Sequence, residues 1–148
     1  MKPHYLLSLL AALAAGAHAG SPGEAVYQSA CMACHGERGA GIPGLAPPLA
    51  GSLGRQLAAP LARDYLTHLL LAGMSGRIRV DGQVYNGIMP PQAAMKDADL
   101  AAVMTYVAAE LNPGAPALVV EANDVAKARG TPMKPSQVHG LRQKLMGE

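Results

Sequence analysis

Apolar residues recur at helical spacing in two stretches of the chain. In residues 64–72 they share one face, and Gly73 follows as a stop signal. His68 lies in this stretch, and a lone helical histidine is expected to be a surface or capping residue. In residues 97–111 acidic residues come first and complement the helix dipole. Apolar residues then repeat with the same period, at Leu100, Val103, Met104 and Val107. Two amphipathic helices are therefore predicted.

Turn-forming residues dominate the segment between residues 36 and 54, which contains three prolines and six glycines. This composition predicts a loop without periodic structure, and a loop of this length tends to be functional or to wrap something. Residues 78–85 alternate around Asp81 and Gly82. That dipeptide favours a type I′ turn, so a short hairpin is predicted there.

The first nineteen residues have the features of a secretory leader. Lys2 precedes an apolar run at residues 6–15, and small residues flank His18 in a cleavage-site pattern. Ten residues of helix span about 15 Å, roughly half the hydrocarbon thickness of a bilayer. A cleaved signal is therefore favoured over a retained anchor, with Gly20 as the first mature residue. We expect an exported, periplasmic protein with no membrane span after cleavage.

Composition adds a weak hint of a bound cofactor. The 148 residues include no Phe, no Trp and only five Tyr, so the chain is short of the large rings that fill a core. Without Lys2, 12 − 1 = 11 basic residues face 10 acidic ones, a net charge near +1. There is no basic stripe interleaved with aromatic residues, which argues against a nucleic-acid partner.

The two cysteines of the chain stand together in Cys31-Met32-Ala33-Cys34-His35. A thioredoxin-like redox pair would need a surrounding βαβ pattern, and a structural zinc site would need further ligands. The third interpretation is covalent haem attachment, for which C-x-x-C-H is the signature. On one helical turn, positions three and four apart share a face, so all three side chains can address one planar ligand. The sulfurs would form thioethers, and His35 would be the proximal iron ligand.

The residues before this motif extend the pattern to Gly-x-x-x-Tyr-x-x-x-Cys-x-x-Cys-His-Gly, beginning at Gly23. This resembles the N-terminal helix of class I c-type cytochromes, the bacterial monohaem cytochromes c. The resemblance implies that Gly23 permits a close crossing with the C-terminal helix, where Tyr27 and Tyr106 meet. It also implies that the Pro47 carbonyl accepts a hydrogen bond from His35, and that Leu49 packs on the haem.

The same resemblance points to Met89 as the sixth ligand, because residues 85–91 are similar to the methionine loop of these cytochromes. A thioether is a soft ligand that favours ferrous iron. Pro90 keeps the preceding residue extended, which suits a side chain projecting inward from a loop. Met74 and Met95 are the competitors, and any of these methionines could instead fill the core.

The resemblance implies an all-α fold, with three or more helices around one covalently bound haem c and a short hairpin. Residues 20–111 would form the haem domain and residues 112–148 a C-terminal extension. The expected function is single-electron transfer from a donor dehydrogenase to an acceptor oxidase or cytochrome, with no catalytic site. The protein could also be the electron-accepting subunit of the dehydrogenase. The alternative is a five-coordinate haem enzyme or gas sensor, should Met89 not bind.

The C-terminal extension contains two short predicted helices. Asn123 or Asp124 is expected to cap the first, which ends at Gly130. The second places Val138, Leu141 and Leu145 at helical spacing. Short helices need a surface to bury against, either the haem domain itself or a partner protein. Docking to a partner and packing on the domain are both retained as hypotheses.

Overall fold

The computed structural model describes residues 20–147, and about half of the chain is helical. The predicted leader, residues 1–19, lies outside the described residues. The helices are α1 (Pro22–Ala30), α2 (Met32–His35), α3 (Gly54–Ala58), α4 (Ala62–Ala72), α5 (Asp97–Ala109), α6 (Ala122–Arg129) and α7 (Pro135–Met146). None of the helices within residues 20–147 is long and apolar enough to cross a bilayer.

Four short strands form two separate two-stranded ladders. The strands are β1 (Met74–Ser75), β2 (Ile78–Val80), β3 (Gln83–Tyr85) and β4 (Ile88–Met89). β2 and β3 form the predicted hairpin, with φ values of 48° at Asp81 and 81° at Gly82, as a type I′ turn requires. β1 pairs with β4 and sets Met74 opposite Met89. The predicted helical fold with a short hairpin is therefore confirmed.

α1 crosses α5 at unusually close range. A Cβ atom on Gly23 would overlap the carbonyl oxygen of Ala102 and lie 2.6 Å from Cβ of Tyr106. The rings of Tyr27 and Tyr106 meet at the crossing, with centroids 5.8 Å apart. The hydroxyl of Tyr27 donates a hydrogen bond of 2.7 Å to the carbonyl of Gly36, just beyond the cysteine motif. The crossing thus positions the end of α2.

The C-terminal extension, residues 112–147 of the described chain, packs on the residues that precede it. α6 lies against α4 and α5, and α7 lies against α3, α4 and β1. Val125 and Val138 are completely buried in a cluster that also contains Leu66, Leu100 and Met104. Packing on the domain is the arrangement that the structure shows, and docking of a partner by these apolar positions is not needed to bury them.

The first helix of the extension begins slightly earlier than predicted. Glu121 is the capping residue of α6, and Asp124 completes a capping box by accepting from the Glu121 N–H at 3.1 Å. Arg129 then fastens α6 to the domain through Asp97, 2.6 Å away, and through the carbonyls of Ala93 and Met95. Polar contacts at both ends therefore fix this helix.

His68 differs from its predicted place at the surface. Its side chain is only 2% exposed. The Nε2 atom of the ring lies 3.4 Å from Oδ1 of Asp64, one helical turn earlier. The expectation of an exposed histidine was wrong, because α4 packs against α3, α5, α6 and α7, and the periodicity of residues 64–72 alone could not reveal these contacts.

We predict that Val138→Ala lowers the free energy of unfolding by about 1–3 kcal/mol, through lost apolar burial and the cavity that remains. Val119 lies in the same extension but is 58% exposed, so Val119→Ala should change that free energy by less than about 0.5 kcal/mol. Denaturant unfolding of the holoprotein measures both. Equal, small effects would mean that the extension does not pack on the domain in solution.

Candidate functional site

The cysteine motif occupies a single helical turn directly after α1. The backbone N–H groups of Cys34 and His35 both donate to the carbonyl of Cys31, at 3.1 and 2.9 Å. This turn directs all three side chains to the lining of one cavity. Cys31 is half-buried, Cys34 is exposed, and both are free thiols.

The environment of Cys31 does not favour thiol–disulfide exchange. Burial raises the pKa of the Cys31 thiol, and the neighbouring Cys34 raises it further. Reactive cysteines have the opposite property, a pKa lowered by positive charge or by a helix N-terminus. The redox-disulfide alternative therefore finds no electrostatic support at Cys31.

His35 is held in the tautomer that a metal ligand requires. Its Nδ1 lies 2.9 Å from the carbonyl oxygen of Pro47. A carbonyl can only accept, so Nδ1 carries the proton and Nε2 keeps its lone pair. Burial lowers the pKa of His35, and the bond to Pro47 partly opposes this shift. The imidazole is thus neutral, oriented and able to bind a metal ion through Nε2.

The loop after α2 is folded tightly enough to place Pro47 and Leu49 at the cavity. The N–H groups of Leu49 and Ala50 both donate to the Gly39 carbonyl, at 2.8 and 3.0 Å. Gly41 has a φ of 75°, and a Cβ there would lie 2.5 Å from the backbone nitrogen of Pro48. Glycine is therefore required at this turn, which brings the proline pair beside His35.

Asn112 ties this loop to the end of α5. Its buried amide donates to the carbonyls of Leu49 and Val107, both at 2.9 Å, and its oxygen accepts from the N–H of Leu53 at 3.1 Å. In the sequence, Asn112 is only the first residue of a chain-stopping Asn-Pro-Gly turn. One asparagine before a Pro-Gly pair carries no sequence signal for a buried amide bridge.

The cavity is open on one side and mostly apolar. Its empty space is about 1500 Å³, a figure that includes the solvent-filled mouth. His35 and both cysteines line it from one segment and Met89 from another, with side chains of α3, α4, α5 and α7 completing the walls. A flat apolar macrocycle anchored by two thioethers suits this lining, and it would supply the bulk that the chain lacks in Phe and Trp.

The structure separates the methionines that compete for the sixth position. Met89 and Met74 face each other across the β1–β4 ladder, and both line the cavity. Met95 packs against the core outside that lining. Met104 lines the cavity as well, but its side chain is buried in the core, where its sulfur lies 3.9 Å from the hydroxyl oxygen of Thr67. Met74 is therefore the competitor of Met89 that geometry retains.

Comparison with known proteins agrees with this geometry. Residues 21–109 match the family model for cytochrome c. The chain is 39% identical over 118 residues to a cytochrome c-552 of Thermus thermophilus, an alignment that covers 78% of this chain and 90% of the relative. A second cytochrome c-552, from a named strain of the same species, is also 39% identical over 118 residues, covering 78% of this chain and 80% of the relative.

We predict that Met89→Ala converts the oxidised haem to a high-spin or water-ligated state and lowers its reduction potential. The reason is that a soft thioether stabilises ferrous iron more than ferric iron. The absorption spectrum reports the change as loss of the sulfur-to-iron charge-transfer band. Met74→Ala is the matched control, because Met74 lies opposite Met89 on the same cavity, and it should retain the band.

The double variant M74A/M89A tests whether Met74 can replace the lost ligand. A band that survives in Met89→Ala but disappears in the double variant would show substitution by Met74. A band lost in Met74→Ala and kept in Met89→Ala would assign the sixth position to Met74 and overturn the prediction.

Proposed function

The chain belongs to the cytochrome c family, and we propose that it is an exported one-electron carrier whose haem iron would be held by His35 and Met89. The family binds haem c covalently through a cysteine pair, here Cys31 and Cys34. Electron transport by a monohaem cytochrome follows from family membership. The iron ligands, the location in the periplasm and the redox partners are proposed below from the residues of the site and of the leader.

A single observation carries the ligand assignment: a neutral, oriented imidazole and a thioether line the same cavity, from two separate segments of the chain. When bound, the haem iron supplies the one-electron Fe(III)/Fe(II) couple. His35 would contribute a lone pair strengthened by its bond to Pro47, and Met89 would contribute a soft donor that raises the reduction potential. Because the chain would supply both iron ligands, no open position would remain for a substrate.

The alternative function is that of a five-coordinate haem enzyme or gas sensor, which needs a displaceable sixth ligand. The position of Met89 argues against it. β4 is hydrogen-bonded to β1, and Gly73 is in such close contact with the Met89 carbonyl that a Cβ atom there would overlap it. A segment whose backbone is paired and closely packed in this way is a poor candidate for swinging away to admit a gas molecule.

We predict that carbon monoxide does not bind the reduced protein on the time scale of simple mixing, because Met89 occupies the position it needs. The reduced Met89→Ala variant, with that position opened, should bind carbon monoxide readily. Stopped-flow absorption measures both. Rapid binding by the unaltered protein would favour the enzyme or gas-sensor function.

Electrons are proposed to leave through the apolar rim of the cavity. Leu45 is 54% exposed and Ile88 is 78% exposed, and both line the cavity mouth together with the exposed Cys34. The segment that carries Leu45 contacts the segment that carries Ile88, because a Cβ atom on Gly87 would lie 3.2 Å from the carbonyl oxygen of Leu45. Together with a net charge near +1, this rim suits a redox protein whose own cofactor opens into an apolar patch.

We predict that Ile88→Asn slows electron exchange with such a partner about tenfold, since one apolar anchor is worth about 1.5 kcal/mol or more. The reduction potential should hardly change. Val119→Asn is the control, because Val119 is an exposed apolar residue outside the cavity lining. Raising the ionic strength from about 0.01 to 0.1 M should change the rate only mildly.

Two results would contradict this prediction. Equal rates for Ile88→Asn and Val119→Asn would place the electron exit elsewhere on the surface. A rate that falls by orders of magnitude with salt would reveal a concentrated charge patch as the docking site.

The proposed location of the protein is the periplasm. Its proposed partners are a donor dehydrogenase and an acceptor oxidase or cytochrome. The leader-like pattern before Gly20 supports export, since it has a basic start, an apolar run and a small-residue cleavage site. Protein purified from periplasmic extract should begin at Gly20. An N-terminus that retains the apolar run would instead support a membrane anchor.

A further inference from the structure

Arg142, on the helix α7, is turned into the protein rather than toward water. Its side chain is only 2% exposed, although guanidinium groups are almost always found at the surface. One of its nitrogens, Nη2, donates to the carbonyl of Arg79 at 3.0 Å. Arg142 also lines the cavity that holds the cysteine motif. The C-terminal extension thus brings a positive charge to the wall of the haem site.

The cavity wall offers a haem little else that could balance negative charge. Its polar groups are hydroxyls, amides, thiols and the neutral imidazole of His35. Among the described residues that line the cavity, Arg142 alone carries a permanent charge. The arginines of the hairpin, Arg77 and Arg79, are exposed, and Arg79 donates to the Gly82 carbonyl of its own turn.

Haem c carries two propionate groups, and a carboxylate taken out of water needs a partner that supplies charge and hydrogen bonds. A guanidinium is the best such partner, because its planar fork of N–H groups matches a carboxylate. We propose that Arg142 is the counter-ion of a haem propionate, so that the C-terminal extension completes the cofactor site. The proposal rests on the covalently bound haem and not on the identity of the sixth ligand.

Hydrogen bonds to the hairpin hold α7, the helix that carries Arg142, beside the cavity. His139, one turn earlier, donates from Nε2 to the carbonyl of Arg77 at 2.9 Å. Its ring fills the space beside Gly76, where a Cβ would lie 3.0 Å from Nε2. Two side chains of α7 therefore bond to backbone carbonyls two residues apart along the edge of the hairpin. His139 reaches that edge without lining the cavity, so it is a natural control for Arg142.

The experiment compares the reduction potential of Arg142→Met and His139→Ala holoproteins with that of the unaltered protein over a range of pH. A positive charge beside the haem disfavours the oxidised state, so Arg142→Met should have a lower potential at high pH. The unpaired propionate should then take up a proton as the pH falls, and the potential should rise in that range. The unaltered protein and His139→Ala should show no such rise.

Other ionisable groups on the elements packed against α7 are the same in Arg142→Met and in the unaltered protein, so they cannot produce the difference. They are Arg55 of α3, and Arg63, Asp64, Tyr65 and His68 of α4. Arg142→Lys adds a rescue test, since lysine keeps the charge but loses the fork, and it should restore the potential in part. The charge-transfer band in each variant reports the sixth ligand separately, so a failure of the Met89 assignment is distinguishable.

If Arg142→Met loses stability to the same extent as His139→Ala and keeps the potential and its pH dependence unchanged, Arg142 is a structural residue and the proposal is wrong. Should Arg142→Met not fold, the unaltered protein decides the matter. With ¹³C-labelled haem propionates, nuclear magnetic resonance should show one carboxylate that stays ionised to lower pH than the other. Two propionates that titrate alike, as groups in water do, would overturn the proposal.

Discussion

The crossing of α1 and α5 is the contact on which the rest of the structure depends. Because Gly23 has no side chain, the backbones approach until the Tyr27 ring meets Tyr106, and α2 follows directly from α1 in a fixed direction. The Tyr27 hydroxyl then holds the Gly36 carbonyl, so the last residue of α2, His35, cannot drift. α5 in turn lines the cavity, and the asparagine that follows it binds the loop beside His35. The absence of a side chain at Gly23 thus determines the position of the cysteine motif and of the cavity wall that α5 forms.

Local chemistry made part of this fold predictable from the sequence. The hairpin turn needs two successive residues with positive φ, and an Asp-Gly pair is a strong signal for that geometry. The β1–β4 ladder had no comparable signal in the sequence. Each strand has only two residues, which is too short for an alternating pattern, and the paired Met74 and Met89 are fifteen residues apart. It is nevertheless the ladder that places Met74 opposite Met89 and makes Met74 the serious competitor. Met95 precedes a helix and looked comparable in sequence, but it packs outside the cavity lining.

The part of the candidate site that lies on one helical turn, the cysteine motif, was predictable from the sequence. The contribution of Arg142, more than a hundred residues further along the chain, was not. C-x-x-C-H is compact, so spacing alone indicated a planar ligand. The position of Arg142 was visible in principle, since it follows Val138 by four residues and lies on the same helical face. The apolar residues of that helical face, such as Val138 and Leu145, determine the pattern that is recognised in the sequence, and Arg142 does not stand out among them. A single arginine inside an apolar stripe predicts a buried charge, but only the fold shows what lies across from it.

The packing of the extension links two properties that are usually discussed apart, stability and reduction potential. α7 lies against β1, and β1 pairs with the strand that carries Met89. The same helix brings Arg142 to the cavity. A loosening of α7 would therefore act on Met89, the proposed sixth ligand, through the ladder, and on the proposed propionate pair through the guanidinium of Arg142. Both changes lower the potential, since a weaker thioether and a more distant positive charge each favour ferric iron. The buried Val125 and Val138 pack in the core that holds the extension in place. If both proposals hold, residues far from the iron would contribute to the electron affinity of the haem.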